Sequence, residues 1–147
     1  MDEAATVGAT RTPVHLWIVG ILALCWNAFG CVDYVMTETH NEAWLAMATP
    51  EVRTWIDATP AWMIAFWALG VWGGLLGSLL LVLRNRHAVE AYALSLIGAT
   101  VSLIYQVGIS PMPGADAMSM ILPVVIVLIA GFLLYYARSM RAKGVLH

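Results

Sequence analysis

Apolar residues gather along this chain into four runs, residues 14–35, 61–83, 88–109 and 118–137, separated by shorter polar stretches. Each run has about the 20 residues that an α-helix needs to cross the hydrocarbon core of a bilayer. The pattern therefore predicts an all-α membrane protein, a four-transmembrane-helix bundle forming one domain over residues 1–147. Four crossings return both chain ends to one side.

Local signals sharpen the boundaries. Thr12-Pro13, Thr49-Pro50 and Thr59-Pro60 each place a hydroxyl where a helix N-cap is wanted, followed by the residue that suits the first helical position. The fourth span follows a break at Ser110-Pro111-Met112-Pro113-Gly114, with Asp116 as its cap, and Pro123 about two turns in predicts a kink. Only Arg84, Asn85, Arg86 and His87 join the second and third spans, so these must be antiparallel neighbours. The one sizeable connection, residues 36–60, reads as two short amphipathic helices, 41–48 and 50–58. On the second of these Val52, Trp55 and Ile56 fall at i, i+3 and i+4, a stripe suited to lying over headgroups or helix ends. The expectation is an aromatic lid over the outer face.

Composition agrees with the spans. At 61% hydrophobic and 11% charged, the chain is well above the roughly 45–50% apolar content of soluble domains. Its net charge of -2 conceals a separation. Arg11, Arg84, Arg86, Arg138, Arg141 and Lys143 fall on the side of the chain ends and Arg53 alone falls opposite, so the positive-inside rule predicts cytoplasmic N- and C-termini. No basic patch points to nucleic acid. Asp2 and Glu3 precede the first run and no small-residue cleavage site follows it, which favours a retained helix over a removed signal peptide. Cys25 and Cys31 lie on one helix about 9 Å apart, beyond disulfide range, and read as buried apolar thiols.

Polar side chains within the spans are costly and mark candidate sites. Trp26, Asn27, Gly30, Asp33 and Tyr34 share a face of the first span, and Ser95, Gly98, Ala99, Ser102 and Gln106 share one of the third, with Tyr105 beside the seam. Both spans run in the same direction, so Asp33 and Gln106 reach similar depth near the outer end. The candidate site is a ligand pocket of Trp26, Asn27, Asp33, Tyr34, Tyr105 and Gln106, roofed by Trp44 and Trp55 and walled by Trp62 and Trp67. The competing readings are a hydrated interfacial Asp33 and plain interhelical hydrogen bonds for Ser102 and Gln106. Glu90 is expected to pair with Arg86, four residues before it, at the start of the third span. His15 and His87 sit at inner helix ends and read as interfacial side chains rather than haem ligands, and neither His40 nor His147 completes a metal cluster. No cofactor, metal or catalytic residue is expected, because no nucleophile and base pair or phosphate loop is present.

The second span carries Gly70, Gly73, Gly74, Gly77 and Ser78, a small-xxx-small surface. It serves either a contact inside the protomer or, through Gly70, Gly73 and Gly77, a seam with a second copy or a larger membrane complex. Trp17, Trp62 and Trp72 read as anchors at the membrane boundaries.

The segment His15-Leu-Trp-Ile-Val-Gly-Ile-Leu-Ala-Leu-Cys-Trp-Asn-Ala-Phe-Gly-Cys-Val-Asp-Tyr-Val-Met-Thr, with Pro60-Ala-Trp, Ala68-Leu-Gly-Val-Trp-Gly-Gly-Leu-Leu-Gly-Ser and the Tyr105-Gln106 pair, resembles a family of short bacterial four-helix inner-membrane proteins. Some members carry a loose sugar-transporter label. The resemblance covers nearly the whole chain and implies architecture and a bacterial plasma-membrane location, without site residues. Taken with the pocket, the leading expectation is an accessory or ligand-binding membrane protein whose pocket opens outward. A small-solute transporter, possibly for sugar-like molecules and acting as a parallel homo-oligomer, is the alternative.

Overall fold

The computed structural model describes residues 10–147, and the long elements are all helices. In chain order they are α1 (Val14–Glu38), α2 (Glu42–Leu45), α3 (Pro50–Asp57), α4 (Ala61–Val82), α5 (Ala88–Ile104, continued by a π-helical turn Tyr105–Ile109) and α6 (Ala117–Ala142). Four of them, α1, α4, α5 with its π-turn, and α6, are long and apolar enough to span a membrane. Only 11–22% of their apolar stretches is buried within the protein, so most of that apolar surface is left uncovered by the protein itself.

The spans begin close to where the apolar pattern places them, but α1 and α6 each run further at their C-terminal ends, to Glu38 and Ala142. The caps divide. Thr49 accepts from the Val52 amide and Asp116 accepts from the Ser119 amide, as expected. At the other two Thr-Pro pairs the proline itself occupies the cap position, and the hydroxyls go elsewhere. Thr12 Oγ1 accepts from Arg84, and Thr59 Oγ1 donates to the Trp55 carbonyl. Helix α6 passes through Pro123 without interruption.

Three long helices close with the paired amide-to-carbonyl bonds of a Schellman motif: His40 to Thr37 with Asn41 to Met36, Arg84 to Leu81 with Asn85 to Leu80, and Gly144 to Arg141 with Val145 to Met140. The residue after the cap is then left-handed. Glycine supplies this at Gly144 (φ 71°), whereas His40 (φ 52°) and Arg84 (φ 57°) adopt it with a side chain present. After Gly144 the chain folds under the bundle. Val145 and Leu146 are buried, and His147 exchanges backbone bonds with Arg84 and Arg86.

Helix α4 is the centre of the arrangement: it packs against α1 on one side and α5 on the other, and α6 packs on α5. The small-residue surface explains both contacts. A Cβ at Gly73 would meet the Ala91 carbonyl oxygen at 3.2 Å, and one at Gly77 would meet the Tyr92 ring at 2.7 Å, both on α5. A Cβ at Gly74 would meet the Asn27 side chain of α1 and, at 3.1 Å, the Ser95 hydroxyl of α5. Gly70, Gly73 and Gly77 thus all face α5 inside the protomer.

Packing is uneven along the bundle. At the end holding both chain ends, Leu16, Leu81, Val89, Tyr92, Leu133, Ala137, Met140 and the tail residues form one core. There α1 and α6 come together through a hydrogen bond between His15 and the Tyr136 hydroxyl. Towards the opposite end a cavity lies between them instead, lined from α1 and α6 alike. Charge follows the same axis: Arg84, Arg86, Arg138, Arg141 and Lys143 lie at the packed end and Arg53 at the hollow one. Glu90 corrects one expectation. Its carboxylate takes Arg141 of α6 at 2.8 Å, with His87 at 3.8 Å, and not Arg86. Helix α6 runs far enough past the apolar stretch to bring Arg141 beside the first turn of α5, which no local spacing encodes.

Candidate functional site

The hollow end holds a partly open cavity of about 640 Å³, within the range of small-molecule sites. Its walls come from every long helix, and α2 and α3 close its top. From α1 come Trp26, Asn27, Phe29, Gly30 and Asp33; from α4, Met63, Trp67 and Gly70; from α5, Ser95, Ser102, Tyr105 and Gln106. The α6 wall, from Leu122 through Ile126 to Leu133, is entirely apolar below Ser119. The floor is Tyr92, at the top of the packed core.

Most of the side chains singled out in the sequence meet here. Trp26, Asn27, Asp33, Trp67, Tyr105 and Gln106 line the cavity together with the roof residues Trp44 and Trp55. Tyr34 and Trp62 do not. Tyr34 lies edge-on to Trp67, ring centres 4.9 Å apart, and Trp62 lies edge-on to Tyr105 at 5.6 Å. Both therefore brace lining aromatics instead of facing the space, and edge-to-face geometry suits that role.

The roof is tied down by side chains that hydropathy alone does not distinguish. Trp44 Nε1 donates to Asp33 Oδ1 at 2.9 Å, joining the roof to α1. Trp55 Nε1 donates to the Ser110 carbonyl and hydroxyl oxygens, both at 3.0 Å, joining it to the end of α5. Within the roof Arg53 donates to Glu42 at 3.0 Å and to the Leu45 carbonyl at 2.7 Å, locking α3 to α2. His40 Nε2 lies 2.9 Å from Asp57 Oδ1, tying the turn after α1 to the end of α3. This hydrogen bond holds the exposed His40 imidazole above its ordinary value of 6.5.

Asn27 sits at a junction. Its amide nitrogen donates to the Ala23 carbonyl at 2.8 Å and to Ser78 Oγ at 3.1 Å. Ser78 also accepts from the Tyr92 hydroxyl at 3.0 Å and donates to the Gly74 carbonyl at 2.8 Å. One hydroxyl therefore links α1, α4 and α5. The Asn27 amide borders the cavity but its donors serve the bundle. Ser102 likewise turns its hydroxyl onto the Gly98 carbonyl of its own helix, and Ser95 bonds across to the Gly70 carbonyl at 2.6 Å.

What remains for a ligand is narrow. Among the described residues, the Gln106 side chain has no hydrogen-bond partner within the protein, and Asp33 engages only one of its oxygens. These two groups lie near the roof, where Glu38 also reaches the rim. The π-turn matters here. The Ser110 amide bonds to the Tyr105 carbonyl at 2.8 Å, a five-residue step, which widens the helix where Tyr105 and Gln106 face the cavity. Such turns recur at functional positions in helices. Its sequence signal is weak: Pro111 forces Ser110 out of helical geometry (φ -139°, ψ 80°), and the last turn before it rearranges.

Cys25 and Cys31 are both unpaired, and the Cys31 thiol lies 3.3 Å from the Val71 carbonyl. Among the described residues no three His, Cys, Asp or Glu side chains are gathered closely enough to hold a metal. No protein-family model, curated protein or solved structure matches the chain.

Proposed function

We propose that this is a small multi-pass membrane protein of accessory or receptor type, which binds a small ligand in the roofed cavity between α1 and α6. The observation that carries the proposal is the unequal filling of one bundle. A hollow half of about 640 Å³ holds a Gln106 amide without a partner among the described residues and a half-engaged Asp33, above a half that holds the buried core. The packed half supports binding over transport, because among the described residues Tyr92 and the core beneath it close the cavity on the side of the chain ends.

Ile126 stands on the α6 wall and is 39% exposed, so a larger ring there fills the cleft without disturbing the core. Native mass spectrometry of gently extracted protein should show a small-molecule adduct on the wild type. The Ile126→Trp variant should lose it. An adduct retained in full by the variant would place it elsewhere, and bare wild-type protein would equally count against the proposal.

The family resemblance and the charge axis together support a bacterial plasma-membrane location with the chain ends in the cytoplasm and the roof outside. A cysteine at Met47, 95% exposed on the roof, should then be labelled in intact cells by a membrane-impermeant maleimide, and one at Lys143 only after lysis. The opposite pattern would invert the orientation.

A further inference from the structure

We infer that the cavity selects an amphipathic organic cation: an ammonium-type head beneath the roof and an apolar tail along α6. This rests on the binding role proposed above and adds the chemical class. Among the described residues lining the cavity, Asp33 and Glu38 are acidic and none is Lys, Arg or His. The nearest base by position in the roof, Arg53, is turned to Glu42 and the Leu45 carbonyl and does not line the space. A carboxylate in an apolar surrounding gains most from an opposite charge brought close.

The walls add a second, independent preference. Trp26, Phe29, Trp44, Trp55, Trp67 and Tyr105 line the same cavity; of these, Phe29 is nearest Asp33 along the chain and Trp44 is hydrogen-bonded to it. Aromatic faces attract cations within about 6 Å, and more strongly where water is excluded. Below the carboxylates, Leu122, Ile126, Ile129 and Leu133 of α6 offer only hydrocarbon contacts. The charge-bearing and greasy regions are thus stacked in the order of an amphiphile lying in a membrane. Phe29 of α1 and Leu122 of α6 line the cavity and are also exposed, so its flank between these helices is open, and such a molecule enters sideways from the lipid, where it is already concentrated.

Three probes with one tail separate the possibilities: decyltrimethylammonium, decanol and decyl sulfate, titrated below their micellar concentrations against the purified protein in a neutral detergent and read by native mass spectrometry. One decyltrimethylammonium per protomer should bind at least tenfold more tightly than either of the others. Asp33→Asn keeps an oxygen for the Trp44 indole while removing charge, and Glu38→Gln removes the second carboxylate. Each should weaken the cation tenfold or more and leave decanol unchanged, which also shows that the cavity is intact. Equal binding of decanol and the cation, or a preference for decyl sulfate, would overturn the charge selection and leave the cavity's binding role standing. A dimer that takes none of the probes would mean that a second copy fills the cleft, and both readings would fall.

Discussion

Gly98→Leu should yield almost no folded protein, and even Gly98→Ala should lose about 3 kcal/mol, the upper end of what overpacking usually costs. Gly98 is where α5 crosses α4 most closely. A Cβ there would stand 2.5 Å from the Phe66 carbonyl oxygen and 2.8 Å from the Gly70 Cα. Both are backbone atoms and cannot rotate away. Alanine is the better helix former by about 1 kcal/mol, but that gain is smaller than the cost of forcing two backbones apart. Thermal unfolding in detergent, followed by circular dichroism, measures the result. Gly131→Ala on α6 is the matched control, since nothing lies within 4 Å of its Cβ position, and it should unfold at or above the wild-type temperature. If Gly98→Ala unfolds with the wild type, the α4–α5 crossing is not as close as described.

Ser78→Ala should cost about 2 kcal/mol, more than the roughly 0.6 kcal/mol of an average interhelical hydrogen bond in a membrane. The reason is the number of groups left without partners. Tyr92 is fully buried and its hydroxyl donates to Ser78, and Asn27 donates to the same oxygen. Removing the acceptor strands the buried phenol, and an unsatisfied buried donor costs about 1–3 kcal/mol. Ser102→Ala removes a hydroxyl that bonds only within its own helix and should change stability by far less. Coupling gives the stricter test. Adding Tyr92→Phe to Ser78→Ala should cost little beyond the single change, because the stranded donor goes with it. Full additivity of the two losses would show that the phenol does not depend on Ser78.

The four spans were readable from hydropathy because each must be apolar over about 20 residues wherever its neighbours lie. Asp116 and Thr49 were readable as caps because their partners are three residues away. The same local reasoning failed at Thr12, whose hydroxyl is taken by Arg84, and at Glu90, whose partner Arg141 is 51 residues distant. Of the candidate pocket, Trp26, Asn27, Asp33, Trp67, Tyr105 and Gln106 could be gathered from helical phase and shared depth. Tyr34 and Trp62 could not be separated from them, since phase alone does not say whether an aromatic faces the space or supports a ring that does. Ser78 and Tyr92 drew no attention as a pair, because a serine beside glycines and a tyrosine in an apolar helix acquire their meaning only on contact.

The amino-acid order alone determined that the chain has four segments long and apolar enough to cross a membrane, with its bases gathered at one end, since hydropathy and charge act on each segment separately. It also determined that α4 would pack closely, through its spaced glycines. Only the tertiary structure decided that these glycines serve α5 and α1, that α1 and α6 border a cavity at the roofed end, and that Asp33 and Gln106 share it. Those outcomes depend on which helix lies beside which, and that choice is made by contacts between residues far apart in the chain.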